Sequence, residues 1–440
     1  MNRSIEKDLL IWKDSSDRKS LLLRGARQVG KTFIIEKFGN THFNNMVSIN
    51  LELPRYQSSF DSLEPKKIVA ELELLSGNKI IPGETLLFLD EIQECPNAIM
   101  ALRYFKEQMQ NLHVIGAGSL LEFTLNDDNF KMPVGRIEFL YLQPLSFIEF
   151  LEANNLLILK EEISNVSLEK PFSNAIHQHY LKTLKDYTIL GGMPGVIKKY
   201  LLTNSFLDAQ HAQSDLLYTY QRDFGKYSKK TIHHNLQLVF EKAPGLIAQW
   251  FKYKNVSPDT HPREIKTALI QLFHAGLLYP IYATSGSGIP FVTTQNEKKF
   301  KLLFVDLGLV KRACRLDTDL LLSNDIFVLN NGALAEQLVG QELLAYQDKH
   351  EKPELYFWVR EAVHSNAEVD FLSIFDGKII PIEVKSGATG RLRSLKVFME
   401  EKQSKIGVQI SESQLSFKNN ILSIPFYLIS QLPRLIKALI

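Results

Sequence analysis

Gly25-Ala26-Arg27-Gln28-Val29-Gly30-Lys31-Thr32 follows the apolar run 20–23 and precedes a helical pattern. It fits G-x-x-x-x-G-K-[ST], a match expected by chance on the order of 0.01 times in a chain of this length and glycine content. Its chemistry is specific. Glycines let the backbone amides of 25–30, including those of Arg27, Gln28 and Val29, wrap a phosphate chain. Lys31 reaches the β- and γ-phosphates, the Thr32 hydroxyl ligates Mg²⁺, and the dipole of the helix that starts there favours anions. The expected ligand is ATP·Mg²⁺.

Further on, Leu86-Leu87-Phe88-Leu89-Asp90-Glu91 is an apolar run ending in two carboxylates. Parallel strands buried on both faces read as continuous apolar runs, and ligands collect at their carboxyl ends. Asp90 is the candidate Mg²⁺ ligand, directly or through water, and Glu91 the candidate base that orients the attacking water. Alone, such a run is also an ordinary solvated strand terminus. Ser119, after the strand pattern at 113–116, is either a sensor of the γ-phosphate or a helix N-cap for the LLEFTL that follows. Arg136 is either a surface arginine or a guanidinium that stabilises charge on the transferred phosphate, in cis or across a subunit interface.

Around these motifs the first 150 residues alternate short apolar runs with helical patterns, as a parallel α/β sheet requires. Strands are expected at 21–24, 46–50, 86–90, 113–116 and 137–142, with helices at 31–38, 65–75 and 98–110. From Leu145 to about 320 long helical patterns dominate, and after about 331 strands return in LYFWV, VDFLSIF, IIPIEV, IGVQI and IPFYLI. At about 150 residues per domain, the 440 residues divide into 1–150, 151–320 and 321–440. In the middle segment, 262–278 reads as an amphipathic helix with Ile265, Leu269, Leu272 and Phe273 on one face. LLYPIYA, a turn and PFVTT follow, the order of a winged helix. Lys252, Lys254, Arg263 and Lys266, with Trp250 and Tyr253, make a candidate DNA surface, although such a module also serves as a lid or protein-docking element.

The last segment carries a second constellation. In Glu368-Val369-Asp370-Phe371 and in Glu383-Val384-Lys385 the polar residues alternate with apolar ones, so each set shares one strand face. If the two runs form a hairpin, Glu368, Asp370, Glu383 and Lys385 converge. Carboxylates for Mg²⁺ and a lysine to position water are what metal-assisted phosphodiester cleavage needs. A solvated sheet edge carries the same alternation.

GARQVGKT, LLFLDEIQ, GAGSLL and GRIEFLYLQPLSFIEFL together resemble AAA-superfamily ATPases of bacteria and archaea whose C-terminal half is an uncharacterised conserved domain. The resemblance continues through Gly191-Gly192-Met193-Pro194, Arg222-Asp223 and Phe304-Val305-Asp306-Leu307-Gly308-Leu309. Read bottom-up, these last three are a turn, a helical charge pair and a strand end. The C-terminal pattern resembles the PD-(D/E)xK nuclease core, with Val369 where the motif has proline. That likeness implies Asp370, Glu383 and Lys385 as catalytic and Glu336 as a further metal ligand. The expected architecture is thus α/β: a P-loop (ASCE/AAA-type) parallel-sheet domain, a helical winged-helix-like middle and a restriction-endonuclease-like α/β domain.

Composition narrows the rest. Hydrophobic content of 45% with 23% charged residues excludes a disordered or fibrous chain, and a net charge of +2 advertises neither DNA nor anionic lipid. Two cysteines cannot make a disulfide framework. No apolar run approaches the length of a membrane span, and the start MNRSIEKDLLIWKD is broken by charges, so a cytoplasmic protein without membrane contact is expected. Neither His233-His234 nor His177 and His179 has metal-ligand spacing; all four are expected to be solvated or beside an N-cap. Two functions fit. One is ATP hydrolysis acting on nucleic acid; the other is a nucleotide-controlled switch that binds a protein partner or a second copy, its nuclease-like domain inactive. A small-molecule kinase fits less well, because Glu91 favours water as acceptor.

Overall fold

The structure, a computed structural model, describes residues 1–119, 135–224, 230–316, 332–361, 367–387 and 392–440. Two compact units are present. One comprises Met1–Gln143 with His274–Gly276 and Gln347–Pro353; the other comprises Pro144–Phe273, Leu277–Tyr346 and Glu354–Ile440. The expected boundary at 320 falls outside the described residues.

The first unit holds five strands: β1 (Ser20–Arg24), β2 (Asn45–Asn50), β3 (Thr85–Asp90), β4 (His113–Gly118) and β5 (Ile137–Tyr141). All pair in parallel, in the order β2-β3-β4-β1-β5. Residues 85–89 of β3 and all of β4 are buried, which is why both read as unbroken apolar runs. Helices Lys31–His42, Pro65–Ser76 and Pro96–Gln108 connect the strands. Since the strands are parallel, their carboxyl ends share one edge. The order places the end of β4 between those of β3 and β1, so Ser119 lies between Asp90 and Gly25. The LLEFTL helix expected after Ser119 lies outside the described residues.

The second unit is built on an eight-stranded mixed sheet, comprising β6 (Leu278–Thr284), β7 (Gln295–Phe304), β8 (Leu355–Val359), β9 (Glu368–Phe375), β10 (Lys378–Val384), β11 (Gly407–Ser411), β12 (Ser416–Lys418) and β13 (Ile421–Pro425). Their order is β12-β13-β11-β10-β9-β8-β6-β7. Helix Ala333–Tyr346 precedes β8; β8, β9 and β10 run antiparallel, and helix Arg393–Lys402 leads to β11, which is parallel to β10.

Helix Pro262–His274 and the β6–β7 hairpin keep the expected order, yet the hairpin is not a free-standing wing. β6 pairs in parallel with β8, Ile281 against Leu355, so its backbone is satisfied on both sides and it belongs to the large sheet. In that helix Ile265, Ala268, Leu269 and Leu272 are buried, while Phe273 is only partly so. Two apolar runs resolve differently from expectation. Residues Phe291–Thr294 form a 3₁₀ turn that buries Phe291 against Tyr356, and IPFYLI splits between β13 and the 3₁₀ segment Phe426–Gln431. Short apolar runs do not distinguish these states by periodicity. Among the described residues no helix is long and apolar enough to cross a membrane.

Candidate functional site

The glycine loop closes tightly on the chain just after β5. A Cβ on Gly25 would lie 2.3 Å from the Leu142 carbonyl oxygen, so only glycine allows that approach. Gln28 and Gly30 adopt positive φ, 61° and 96°, turning the chain into helix Lys31–His42. Among the described residues no side chain caps that helix, which leaves its first-turn amides for an anion. The Lys31 ammonium is 7% exposed and folds back on the loop, donating to the carbonyls of Gly25 (3.0 Å) and Ala26 (2.8 Å). Burial pushes its pKa down to about 8, against the pull of Glu91 and Asp90. Arg27 pairs loosely with Glu52 at 3.9 Å, and Val29 is fully buried beneath the loop.

Thr32 Oγ1 donates to Asp90 Oδ2 at 2.9 Å, so the helix start and the end of β3 meet where a cation would be shared. Burial raises the Asp90 pKa, partly offset by the Thr32 hydrogen bond. Glu91 takes a left-handed backbone (φ 49°), and its Oε2 accepts 2.7 Å from the Gln93 amide. Gln93 was not legible as a functional residue; its role depends on the turn at Glu91, which no local pattern announces. Ser119 Oγ is buried with no hydrogen-bond partner among the described residues, as a group awaiting a ligand would be. The donors and acceptors around the loop fit a nucleoside triphosphate with Mg²⁺.

Arg136 requires a correction. It precedes β5, whose first residue Ile137 pairs with Ser20 at the amino end of β1. The phosphate loop follows the other end of β1, about 16 Å away along the strand. There Arg136 is half-exposed and donates to Glu107 at 3.1 Å. That distance and the pairing with Glu107 fit the surface arginine and not a role at the phosphate in cis.

In the second unit the expected hairpin exists, with β9 and β10 antiparallel. It gathers the expected acids around a cation that the sequence reading did not include. Lys301 on β7, 2% exposed, places its ammonium 3.0 Å from Glu336 Oε2, 2.5 Å from Glu368 Oε1 and 3.7 Å from Asp370 Oδ1. Asp370 Oδ2 also accepts the Val384 amide at 2.8 Å. Beside it Lys385 donates to Glu383 Oε1 at 2.7 Å, while Glu383 Oε2 is buried with no hydrogen-bond partner among the described residues. Trp250 Nε1 donates to Glu368 Oε2 at 2.5 Å. Four carboxyl groups thus surround two ammonium groups.

Burial drives the acids toward their neutral forms. Glu336 and Asp370 are raised, and Glu383 is pushed up to about 7, burial being the main cause in each case. For Lys301 burial acts downward, but Glu336, Asp370 and Glu368 together hold its pKa above the ordinary lysine value. Among the described residues no three His, Cys, Asp or Glu side chains are arranged to hold a metal ion. The Mg²⁺ expected on Glu336, Asp370 and Glu383 does not fit, because an ammonium group stands among the acids. Lys301 lies 35 residues from Glu336 in a strand of mixed charge, so only the β6–β8 pairing reveals it.

The motifs that looked like a turn and a strand end prove to be partners. Asp306 Oδ2 accepts the Gly192 amide at 2.6 Å, and its Oδ1 accepts the Leu309 amide at 3.0 Å. A Cβ on Gly191 would sit 2.1 Å from Asp306 Oδ1. Nearby, Glu342 accepts the Phe147 amide at 3.0 Å and the Tyr187 hydroxyl at 2.8 Å. Burial raises Asp306 to about 6 and Glu342 to about 7. His177, expected to be solvated or beside an N-cap, is buried near the N-cap Ser173 of helix Asn174–Leu190, with Nδ1 2.7 Å from the Tyr427 hydroxyl and Nε2 3.0 Å from the Glu412 carbonyl.

Residues 17–151 match the family described as AAA domain, and 181–320 and 331–429 match two domains of unknown function, DUF8612 and DUF4143. The N-terminal segment is similar to AAA domains, and an ATPase is the activity that this match supports. No curated protein matches the chain. Similar solved structures include the Aeropyrum pernix ORC1 protein in complex with DNA, at 11% identity and a TM-score of 0.30, covering 72% of this chain and 93% of that one. The Thermotoga maritima RuvB Holliday junction branch migration motor is 14% identical with a TM-score of 0.29, covering 62% and 87%. C. elegans PCH-2 is 13% identical with a TM-score of 0.23, covering 40% and 49%.

Proposed function

We propose that the chain hydrolyses ATP with Mg²⁺ at the edge formed by β1, β3 and β4, and that this turnover serves action on nucleic acid. The hydrogen bond from Thr32 to Asp90 carries the first part. Mg²⁺ held by these two residues would neutralise charge on the β- and γ-phosphates. Lys31 turns from the loop carbonyls to the phosphates, and the amides of 25–30 wrap them. Glu91, fixed by Gln93, orients and deprotonates the attacking water. Ser119 senses the γ-phosphate from the neighbouring strand.

The nucleic-acid part rests on the helix–β8–β9–β10–helix–β11 order, which is similar to the PD-(D/E)xK core, and on the exposed Lys252, Lys254, Arg263 and Lys266. The ammonium of Lys301 among the acids favours a second reading of that unit, a platform for a protein partner with no cutting activity. ATP turnover measured with and without single-stranded, duplex and branched DNA separates the two. Stimulation by any of them supports nucleic acid. Turnover indifferent to all three, with no DNA retained at low salt, supports the protein-partner reading.

A further inference from the structure

We infer that Lys301 stands where a nuclease-like centre would hold its divalent cation, so that the acidic centre of the second unit is closed to metal by a cation of the chain itself. Four observations converge. The ammonium contacts carboxylates from the helix Ala333–Tyr346 (Glu336) and from β9 (Glu368 and Asp370), the elements that would supply metal ligands. It is 2% exposed, so no water shell competes with those contacts. Its aliphatic stem is built into β7, and its Nζ lies 5.3 Å from the Phe357 ring centroid, which leaves the head little freedom to withdraw. Finally, Trp250 donates to Glu368 and so occupies the second oxygen of that carboxylate.

The charges explain why a lysine and a metal exclude each other. Three carboxylates attract one cation strongly, but a divalent ion beside a buried ammonium would meet repulsion at a few ångströms in a medium of low dielectric. Lys385 keeps its own partner in Glu383 and does not relieve that repulsion. Lys301 therefore does the neutralising work of a metal while also tying the β6–β7 hairpin to the core strands. Removing one member of such a buried set leaves uncompensated charge. This conclusion depends only on the second unit and not on how ATP is turned over.

Mn²⁺ binding to the full-length protein without nucleotide, followed by the loss of the free-ion paramagnetic resonance signal, tests it. Wild type should bind no Mn²⁺ below millimolar concentration that Asp370→Asn removes. Lys301→Met should gain one site, with affinity at least tenfold above wild type, and Asp370→Asn added to it should abolish that site. Lys301→Met/Glu336→Gln, which carries less uncompensated charge, serves if the single variant does not fold, and folding is checked by circular dichroism. Stoichiometric Mn²⁺ binding by wild type that Asp370→Asn removes would overturn the proposal. So would a folded Lys301→Met variant that still binds none.

Discussion

Thr32 and Asp90 are joined by a 2.9 Å hydrogen bond although 58 residues separate them in sequence. Parallel pairing makes this possible: β4 spaces β3 from β1, and both carboxyl ends open on the same edge. The hydroxyl and the carboxylate therefore stand side by side without nucleotide, as the proposed Mg²⁺ site needs. Preorganisation of that kind lowers the cost of binding.

Lys31→Ala should remove nucleotide binding and leave the fold intact. Its ammonium donates to two loop carbonyls, and bound phosphate would replace them with charge-assisted contacts of about 1.5–3 kcal/mol each. Affinity should fall by roughly 10²-fold in a titration with a fluorescent ATP analogue. An affinity within twofold of wild type would exclude Lys31 from the phosphate site.

Gln93→Ala should slow ATP turnover without weakening nucleotide binding, because the Gln93 amide holds the Glu91 carboxylate. A loss of roughly tenfold, smaller than that of Glu91→Gln, is expected from a residue that positions the base. A change in KM with kcat untouched would assign Gln93 to binding instead.

Much of the first unit was legible because β1, β3 and β4 are buried on both faces and the glycine loop turns where its glycines stand. LLFLDE reads as a strand ending in two acids, and it is one. The second unit was legible in its hairpin but not in its centre. Lys301 reaches Glu336, Glu368 and Asp370 only because β6 crosses over to pair with β8, a long-range choice that residue patterns do not encode. Arg136 shows the same limit from the other side. Its motif suggested phosphate, but the direction of β5 carries it to the far end of the sheet.

Asp306→Ala should destabilise the second unit strongly. It leaves the buried amides of Gly192 and Leu309 without acceptors, at about 1–3 kcal/mol each. Urea denaturation should show a loss of about 2–6 kcal/mol. A loss below about 1 kcal/mol would mean that these amides find other partners, and that Asp306 does not hold the Gly191–Gly192 turn.

Glu342→Gln should flatten the pH dependence of stability. Burial raises Glu342 to about 7, above the roughly 4.3 of an unfolded chain. Such a carboxyl binds its proton more tightly when folded, so its contribution favours the native state at low pH and is lost as pH rises through 7. Wild type should therefore lose stability between pH 5 and 8 more steeply than Glu342→Gln, whose amide oxygen still accepts the Phe147 amide. Equal slopes in pH-dependent melting curves would contradict a buried, proton-binding Glu342.

ATP turnover by Glu91→Gln, measured beside its nucleotide affinity, tests the hydrolytic mechanism most directly. The substitution keeps the shape of the side chain and removes the base, leaving Lys31, Thr32 and Asp90 in place. Nucleotide should bind as in wild type while kcat falls by roughly 10²-fold or more. Unchanged turnover in a protein that still binds ATP would contradict Glu91 as the base.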